Sequence, residues 1–376
     1  MKIVIMSVYP PANQPSGGVY SVTRVLTQAL SKYNDIDVHV VSFDKDCNKT
    51  KIEQDVDVTV HRLPCSNWPQ ILDIFGPGKK RLLNYIYSLK PDIIHTHGSY
   101  GLTLCNISIP SVFTLHGFDF ANLVADSAKH AWVRSRLWRY VERRSIASQK
   151  DIISITPYVR KMIESLTKAR IYDIDNPVDE RFFEIKRKPE HGRILCVGWI
   201  NERKNTLGSV QAFAKIAMSF PQAKLVIAGH ANETEYLNRV QKVIKTNGID
   251  NQVEMLGYIN RMQLEEELTK ASVLLLPSRQ ENAPMAISEA MAARIPIITS
   301  NLCGMPYMVE EGQSGFLIDP ESTEQISERL SQLVGSEQLC QQMGDKGHEI
   351  ALERFHPNVV AKKTREVYEQ ICSENK

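Results

Sequence analysis

Two glutamates, Glu281 and Glu289, lie on either side of a predicted helix start in the second half of the chain. The preceding run 272–276 is mostly apolar and predicts a buried strand. Pro284 is suited to be the first residue of the next helix, because an N–H at that position would have no helical partner. Glu281 therefore falls in a strand-to-helix loop, and Glu289 falls inside the helix.

The backbone between these glutamates is suited to bind an anion. Asn282 is a residue type that caps helices, and the helix dipole favours negative charge at this end. Free amides at a helix start commonly bind phosphate. Here they lie around Ala283 to Ala286, where Pro284 has no N–H and Ala283, Met285 and Ala286 supply the donors.

The spacing of the two acids suggests a long ligand with a phosphate in its middle. A rise of about 1.5 Å per residue places Glu289 about 7.5 Å beyond Pro284. A nucleotide sugar has a matching order of groups: a hydroxylated sugar, a diphosphate and a hydroxylated ribose. Taken singly, each acid has an ordinary explanation, Glu281 as a solvated loop carboxylate and Glu289 as the partner of a nearby base.

A second group of candidates is the cationic pair Arg203 and Lys204, which lies between a predicted strand at 193–198 and a helix from Thr206. Such a pair can stabilise the negative charge that gathers on a departing diphosphate. A solvated basic loop is the alternative explanation.

Three histidines and a glycine pair lie near strand ends in the first half of the chain. His116 directly follows a predicted strand, at the end where α/β folds build their sites. His95 and His97 alternate on one strand and share a face, as two metal ligands could. No third ligand is suitably spaced, so we expect a structural or loop-anchoring role for them. Gly17 and Gly18 open the first helix and let backbone approach a phosphate or sugar, although an ordinary turn explains them equally well.

The stretch 277–293 resembles the Glu-x7-Glu signature of the retaining glycosyltransferases of family 4, which have the two-domain GT-B fold. The resemblance implies that Glu281 contacts the donor sugar, that Glu289 holds the ribose, and that the backbone of Asn282 to Met285 binds sugar and diphosphate. It also implies that His116 lies beside the donor sugar and the transferring centre.

The chain departs from the family pattern at several positions. Asn282 and Arg294 stand where the family usually has glycine. In the Gly-Arg-Leu-x-x-x-Lys-Gly pattern, Lys204 aligns directly but Trp199 stands at the arginine position. We therefore expect Arg203 to substitute for that arginine.

Composition indicates a soluble globular protein. The 376 residues suffice for two α/β domains, and a formal charge of +2 gives no global signature of nucleic-acid binding. The seven cysteines are scattered, which favours reduced thiols in a cytoplasm. Four Asp-x-Asp strings lie in turn-like places, and we expect neither an essential metal nor a cofactor. No apolar run is long enough to span a membrane.

Alternating strand and helix patterns predict an α/β protein with two parallel sheets. The residues 1–180 are expected to form an acceptor-binding Rossmann-like domain, and 181–357 a donor-binding one facing it across a cleft. A final helix at about 358–376 is expected to cross back to the first domain, as in GT-B enzymes. The predicted strands are 2–6, 38–43, 58–63, 92–97, 111–115, 152–156, 193–198, 224–229, 253–257, 272–277 and 297–300.

The segment 129–150 is strongly basic and predicts a helix on which Arg136, Arg139 and Arg143 share a face. This face is expected either to contact anionic lipid or a lipid-diphosphate acceptor, or to be an ordinary solvated surface. The protein would then be cytoplasmic, with peripheral contact at the inner face of the membrane.

The predicted function is transfer of a sugar from a nucleotide-diphosphate sugar to a glycan or lipid-linked glycan acceptor, in bacterial surface-polysaccharide biosynthesis. The mechanism is expected to be retaining and metal-independent. The alternatives are a sugar phosphorylase or nucleotide-sugar epimerase of the same fold, and a nucleotide-sugar-binding subunit without turnover. Uridine and guanosine donors are not distinguished by the sequence.

Overall fold

Buried strands alternate with helices along the chain, and the strands form two separate sheets. The computed structural model describes residues 1–9, 18–65, 77–103, 107–118 and 131–375. One unit is drawn from Met1–Phe118, Leu137–Pro177 and His356–Lys376, and the other is built mainly from Val178–Phe355.

The first sheet has the order β3-β4-β2-β1-β5-β6-β7-β8. Every neighbouring pair is parallel except β3 and β4, which form an antiparallel pair. The order reverses between β1 and β5, and α/β folds place ligands at the carboxyl ends of strands around such a point. The strands are β1 (Lys2–Met6), β2 (Asp37–Asp44), β3 (Lys51–Asp55), β4 (Val58–Pro64), β5 (Ile93–His97), β6 (Ser111–Leu115), β7 (Asp151–Ser154) and β8 (Arg170–Asp173).

The last helix of the chain belongs to this first unit, as predicted. Its apolar residues Val360, Val367 and Ile371 are buried in the same cluster as Leu26 of the first helix. The helices before Pro177 are α1 (Gly18–Ser31), α2 (Pro77–Leu89), α3 (Ala131–Ala147) and α4 (Pro157–Ile163), and the final helix is Pro357–Glu374.

The second sheet is parallel throughout, with the order β11-β10-β9-β12-β13-β14. Its order reverses between β9 and β12, so the loops after these two strands meet at the edge where ligands bind. The strands are β9 (Arg193–Val197), β10 (Lys224–Ala228), β11 (Val253–Gly257), β12 (Val273–Leu276), β13 (Ile297–Ser300) and β14 (Gly315–Ile318). The helices are α5 (Glu180–Phe183), α6 (Thr206–Ala217), α7 (Thr234–Thr246), α8 (Arg261–Lys270), α9 (Met285–Ala292), α10 (Thr323–Val334) and α11 (Glu337–Arg354), which makes the final helix α12.

Helix α9 ends in a left-handed turn at Arg294, whose φ is 60°. Glycine adopts this conformation most readily, which explains why a glycine is usual at the position. The Arg294 side chain forms an ion pair with Asp345 at 2.9 Å. This residue therefore has a structural partner on α11.

Candidate functional site

The loop after β9 and the loop after β12 bring Arg203, Lys204 and Glu281 together. Arg203 Nη1 and Lys204 Nζ each lie 2.6 Å from Oε1 of Glu281. All three side chains are largely buried, with 13 to 15% of each exposed. Two cations and one carboxylate therefore converge where the order of the second sheet reverses.

Backbone hydrogen bonds hold these two loops in register. The Arg279 amide donates to the Arg203 carbonyl at 2.8 Å, and the Gly304 amide donates to the Glu281 carbonyl at 2.9 Å. The Cys303 thiol lies 2.8 Å from Oε1 of Gln280. The loop after β13 thus supports the segment that carries Glu281.

Gly304 leaves no room for a side chain at this support. A Cβ on Gly304 would lie 1.7 Å from the backbone oxygen of Asn282, so that backbone must shift. We expect Gly304→Ala to lower both the melting temperature and donor affinity, since the shift displaces Glu281. Gly347→Ala is the matched control, because its Cβ would have only ordinary contacts, the nearest at 3.6 Å. Equal donor affinity in the two variants would contradict this account.

The helix start after Glu281 differs in detail from the sequence prediction. Pro284 is the N-cap of α9 and not its first residue, and α9 has no side-chain cap, so the prediction that Asn282 caps it is wrong. Asn282 is buried, and its backbone oxygen faces Gly304. The amides of Met285 and Ala286 lie at the first helical positions, where an α-helix supplies no partners of its own.

Glu289 lies one turn further along α9, near Asp179, which is the N-cap of α5. Burial raises the pKa of Glu289 to about 7, which nearby Arg261 opposes and nearby Asp179 reinforces. A carboxyl group in this setting can accept or donate a hydrogen bond near neutral pH. Such a group suits a ligand hydroxyl.

The raised pKa of Glu289 has a consequence for stability. Between the ordinary pKa of 4.5 and about 7 the folded protein binds the proton and the unfolded chain does not, so the free energy of unfolding falls as pH rises through this range. The loss amounts to about 2 to 3 kcal/mol above pH 7. Glu289→Gln removes this pH-dependent loss. We therefore expect urea unfolding to show that the free energy of unfolding of the variant, relative to that of the wild type, rises by this amount between pH 5 and pH 8. An unchanged difference between the two proteins at both pH values would contradict the burial of this carboxyl group.

His116 lies just beyond β6 in the first unit. Its Nε2 is 2.8 Å from Nδ1 of His97, and the two rings meet edge to edge with their centroids 5.1 Å apart. Burial lowers the pKa of His116 to about 4, which a side-chain hydrogen bond with Asn176 opposes. His116 is therefore neutral at physiological pH.

The other residues singled out at strand ends have different surroundings. His95 is buried between the Thr114 hydroxyl and the Tyr368 hydroxyl, each 2.6 Å from a ring nitrogen. Gly18 is the first residue of α1. Gly17 lies outside the described residues.

Trp199, at the usual arginine position, is 45% exposed. Its ring meets His230 edge to face at 5.9 Å, and the neighbouring Ile200 amide donates to the His230 carbonyl at 2.9 Å. At Gly198, a Cβ would lie 3.0 Å from the side chain of Lys204. The backbone before Trp199 therefore lies beside the Lys204 side chain.

In the described part of the chain, no group of three or more His, Cys, Asp or Glu side chains is arranged to hold a metal ion. No helix there combines the length and apolar character needed to cross a bilayer.

On the basic helix α3, the side chains of Arg136, Arg139 and Arg143 are exposed, and so is 62% of Tyr140.

Sequence reasoning missed two features of these sites. One is the His97–His116 contact, and the other is the support of the Glu281 segment by Cys303 and Gly304. The first had a signal, because consecutive parallel strands often pair and each carries a histidine near its carboxyl end. The second had none, because it depends on how three loops meet.

Chemically, the second unit offers a seat for an anion between two acceptors for hydroxyl groups. Lys204, Arg203 and the amides at the start of α9 supply positive charge and donors. Glu281 and Glu289 lie before and after that helix start. This arrangement fits a ligand with a phosphate between two polyol groups.

Comparison with known proteins agrees with the fold. A family model described as glycosyl transferases group 1 matches residues 178–350, and one described as glycosyltransferase family 4 matches residues 16–182. An uncharacterised glycosyltransferase of Methanocaldococcus jannaschii is 24% identical over 382 residues, covering 99% of both chains.

Two solved structures have a similar fold. Sucrose-phosphate synthase of Thermosynechococcus elongatus matches with a TM-score of 0.85 and 19% identity, covering 99% of each chain. Anabaena Alr3699/HepE, in complex with UDP-glucose, matches with a TM-score of 0.72 and 16% identity over 98% of this chain and 100% of that one. The chain therefore belongs to the GT-B glycosyltransferases of the family 4 type.

Proposed function

We propose that this protein is a retaining, metal-independent transferase that moves a sugar from a nucleotide-diphosphate sugar to a hydroxyl of a glycan or lipid-linked glycan. The observation that supports this most strongly is the meeting of Arg203 and Lys204 with Glu281 beside the start of α9. The similar Anabaena protein was solved with UDP-glucose, which supports a nucleotide sugar as the donor.

The donor is proposed to lie across the start of α9. Its diphosphate contacts Lys204, Arg203 and the amides of Met285 and Ala286, and the backbone of Asn282 and Ala283 completes this seat. Glu281 accepts hydrogen bonds from the sugar hydroxyls and Glu289 from the ribose. The ion pairs with Glu281 hold both cations in place before the donor arrives, which lowers the cost of ordering them.

In the reaction, the acceptor hydroxyl attacks the anomeric carbon on the face from which the diphosphate leaves. The bond from that carbon to the phosphate oxygen breaks as the new glycosidic bond forms, and the hydroxyl proton passes to the leaving phosphate. This route needs no side-chain nucleophile. It depends on cations fixed where negative charge develops, which is the role of Lys204 and Arg203.

From the family resemblance, His116, Gly17 and Gly18 are proposed to be substrate-binding residues of the first unit, which is proposed to bind the acceptor. Because burial lowers the pKa of His116 to about 4, this residue is neutral and adds no charge beside a bound substrate. This assignment rests on the family resemblance and on the position of His116 at the carboxyl end of β6.

The proposed donor is tested by thermal-shift measurements with UDP-, GDP- and ADP-sugars, since a ligand that binds only the folded state raises its melting temperature. One of these donors is expected to give a clear shift and to support transfer or slow hydrolysis that is lost in Glu281→Ala. A phosphorylase would instead turn over with inorganic phosphate and no nucleotide, and an epimerase would convert the donor without an acceptor. Tight binding with no turnover would identify a binding subunit.

The exposed arginines of α3 support a further proposal, peripheral contact with an anionic membrane that carries a lipid-linked acceptor in surface-polysaccharide assembly. Vesicles containing anionic lipid are expected to retain the protein at low salt and release it at high salt. If neutral and anionic vesicles retain it equally, α3 is an ordinary solvated helix.

A further inference from the structure

Arg279 lies in the loop after β12, two residues before Glu281, and joins this loop to the one after β9. Its backbone amide donates to the Arg203 carbonyl at 2.8 Å. Its side chain donates from Nη1 to the Glu202 carbonyl at 2.7 Å. These two carbonyls belong to the peptide groups on either side of Arg203. A single residue therefore holds the backbone both before and after the Arg203 side chain.

The other edge of the Arg279 guanidinium is anchored on Glu321. Nε and Nη2 donate to the two carboxylate oxygens of Glu321, the latter at 3.0 Å, in the forked geometry that arginine forms with carboxylates. Nη1 also lies 3.1 Å from Oε2 of Glu202. Glu321 directly follows Pro320, whose carbonyl accepts a hydrogen bond from Asn205 Nδ2 at 2.6 Å. The segment after β14 thus holds the guanidinium and also contacts the end of the loop after β9.

These contacts limit how far the Arg203 side chain can move. Its Nη1 lies 2.6 Å from Oε1 of Glu281, and 15% of the side chain is exposed. A charge that is fixed before the reaction stabilises a developing charge without having to reorganise. A small displacement of such a group, caused by a change away from the reacting atoms, lowers the rate strongly. The backbone that carries Arg203 is therefore as important as its guanidinium.

We propose that Arg279 is a positioning residue that fixes Arg203 for the transfer reaction. This inference rests on the proposed function, because it gives Arg279 a role only through the contact of Arg203 with the donor diphosphate. The Arg279 guanidinium is held by Glu202 and Glu321, so it acts through the loop and not on the donor itself. Arg203 lies four residues beyond Trp199, and the support by Arg279 explains how a residue of this loop holds a guanidinium in a fixed place.

The support of the loop can be measured without any activity, by hydrogen exchange followed by mass spectrometry. The Lys204 amide donates to Asn201 Oδ1 and the Asn205 amide to the Asn201 carbonyl, so the loop carries amides whose exchange reports its opening. In Arg279→Gln we expect peptides covering 201–205 to exchange about 10-fold faster, because the loop loses a charge-assisted hydrogen bond. Equal exchange of these peptides in the variant and the wild type would overturn the proposal.

Arg239→Gln is the matched control. Arg239 Nη1 pairs with Oε1 of the Glu202 side chain, whereas Arg279 also holds the Glu202 carbonyl. The control removes the same charge from the same glutamate and leaves the bond to the backbone in place. Its loop exchange and its kcat should both stay close to those of the wild type. If both variants loosen the loop equally, the Glu202 carboxylate and not its carbonyl holds the loop, and the proposal is wrong.

The effect on transfer separates position from charge. We expect Arg279→Gln to lower kcat about 10-fold, because it lets Arg203 move. Arg279→Lys should not restore this loss, since an ammonium group cannot form the fork with Glu321 and also hold the Glu202 carbonyl. Recovery of wild-type kcat in Arg279→Lys would show that only the positive charge matters, and would overturn the proposal.

A double-mutant cycle identifies the residue through which Arg279 acts. In Arg203→Ala the side chain to be positioned is gone, so adding Arg279→Gln should lower kcat by less than about 2-fold. A further loss of about 10-fold in this background would show that Arg279 acts independently of Arg203, as a residue that only stabilises the fold would. Melting temperatures of all variants accompany these measurements, and a loss of kcat that follows the melting temperature in both backgrounds would likewise contradict a positioning role.

The exchange and kinetic measurements also distinguish two kinds of failure. A wild type that transfers no sugar would refute the proposed function, while hydrogen exchange would still decide whether Arg279 fixes the loop that carries Arg203. A wild type that transfers sugar, with kcat unchanged in Arg279→Gln, would leave the proposed function in place and refute the role of Arg279.

Discussion

Replacing Lys204 with alanine is expected to lower kcat by about 10²- to 10³-fold, because the reaction needs a fixed positive charge where the departing diphosphate gains negative charge. Lys204 Nζ is held 2.6 Å from Glu281 and is 13% exposed, so water screens this charge weakly. Donor KM should rise less than kcat falls, since the charge on the leaving oxygen develops mainly in the transition state. Steady-state kinetics with saturating acceptor measure both quantities.

Lys215→Ala is the matched control for this variant. Lys215 lies on α6, in the same unit, and its exposed side chain pairs with Glu324. The Lys215→Ala variant removes the same charge from the protein without touching the loop after β9, and its kcat should stay close to that of the wild type. If Lys204→Ala and Lys215→Ala have similar kcat values, Lys204 is not the cation that serves the leaving group.

The second large effect is expected at Arg203, because this chain has Trp199 at the position where the family usually has an arginine. Arg203 Nη1 contacts both Glu281 Oε1 at 2.6 Å and the Gln280 carbonyl at 3.3 Å, so its guanidinium lies beside the proposed sugar and phosphate positions. We expect Arg203→Ala to lower kcat by about 10- to 100-fold, as a lost charge-assisted contact does.

Adding Trp199→Arg to Arg203→Ala is expected to recover most of this loss. The backbone at Gly198 lies next to the Lys204 side chain, so we expect an arginine at the next position, 199, to reach the same anion. The control is Trp199→Ala with Arg203→Ala, which removes the indole but adds no charge. Equal kcat in the two double variants would mean that Arg203 does not take the place of the missing arginine.

Much of the architecture could be predicted because the strands of parallel sheets are short runs of Val, Ile and Leu. Two of the three strands left out, β3 and β8, lack this signal. In β3 (Lys51–Asp55), Ile52 is the only aliphatic residue, and it is 60% exposed at the sheet edge. Strand β8 has four residues, none of them fully buried. Strand β14 does carry an apolar run, Phe316 to Ile318, but it is only four residues long and begins with a glycine.

The candidate site was predicted at the level of segments but not of contacts. Residue type and spacing placed Glu281 before a helix and Lys204 after a strand, and both positions are confirmed. That Glu281 pairs with Arg203, 78 residues away, depends on β9 and β12 being neighbours, which no local pattern encodes. The error at Asn282 arose in the same way, because its side chain type suits a cap but its backbone is held against Gly304.

The most direct test of the account is a crystal structure of the protein with the nucleotide sugar that raises its melting temperature most. We predict the diphosphate within hydrogen-bond distance of Lys204 Nζ and of the Met285 and Ala286 amides, with Glu281 on the sugar and Glu289 on the ribose. A nucleotide bound at another edge of the second sheet, or one whose sugar and ribose touch neither acid, would contradict the central claim.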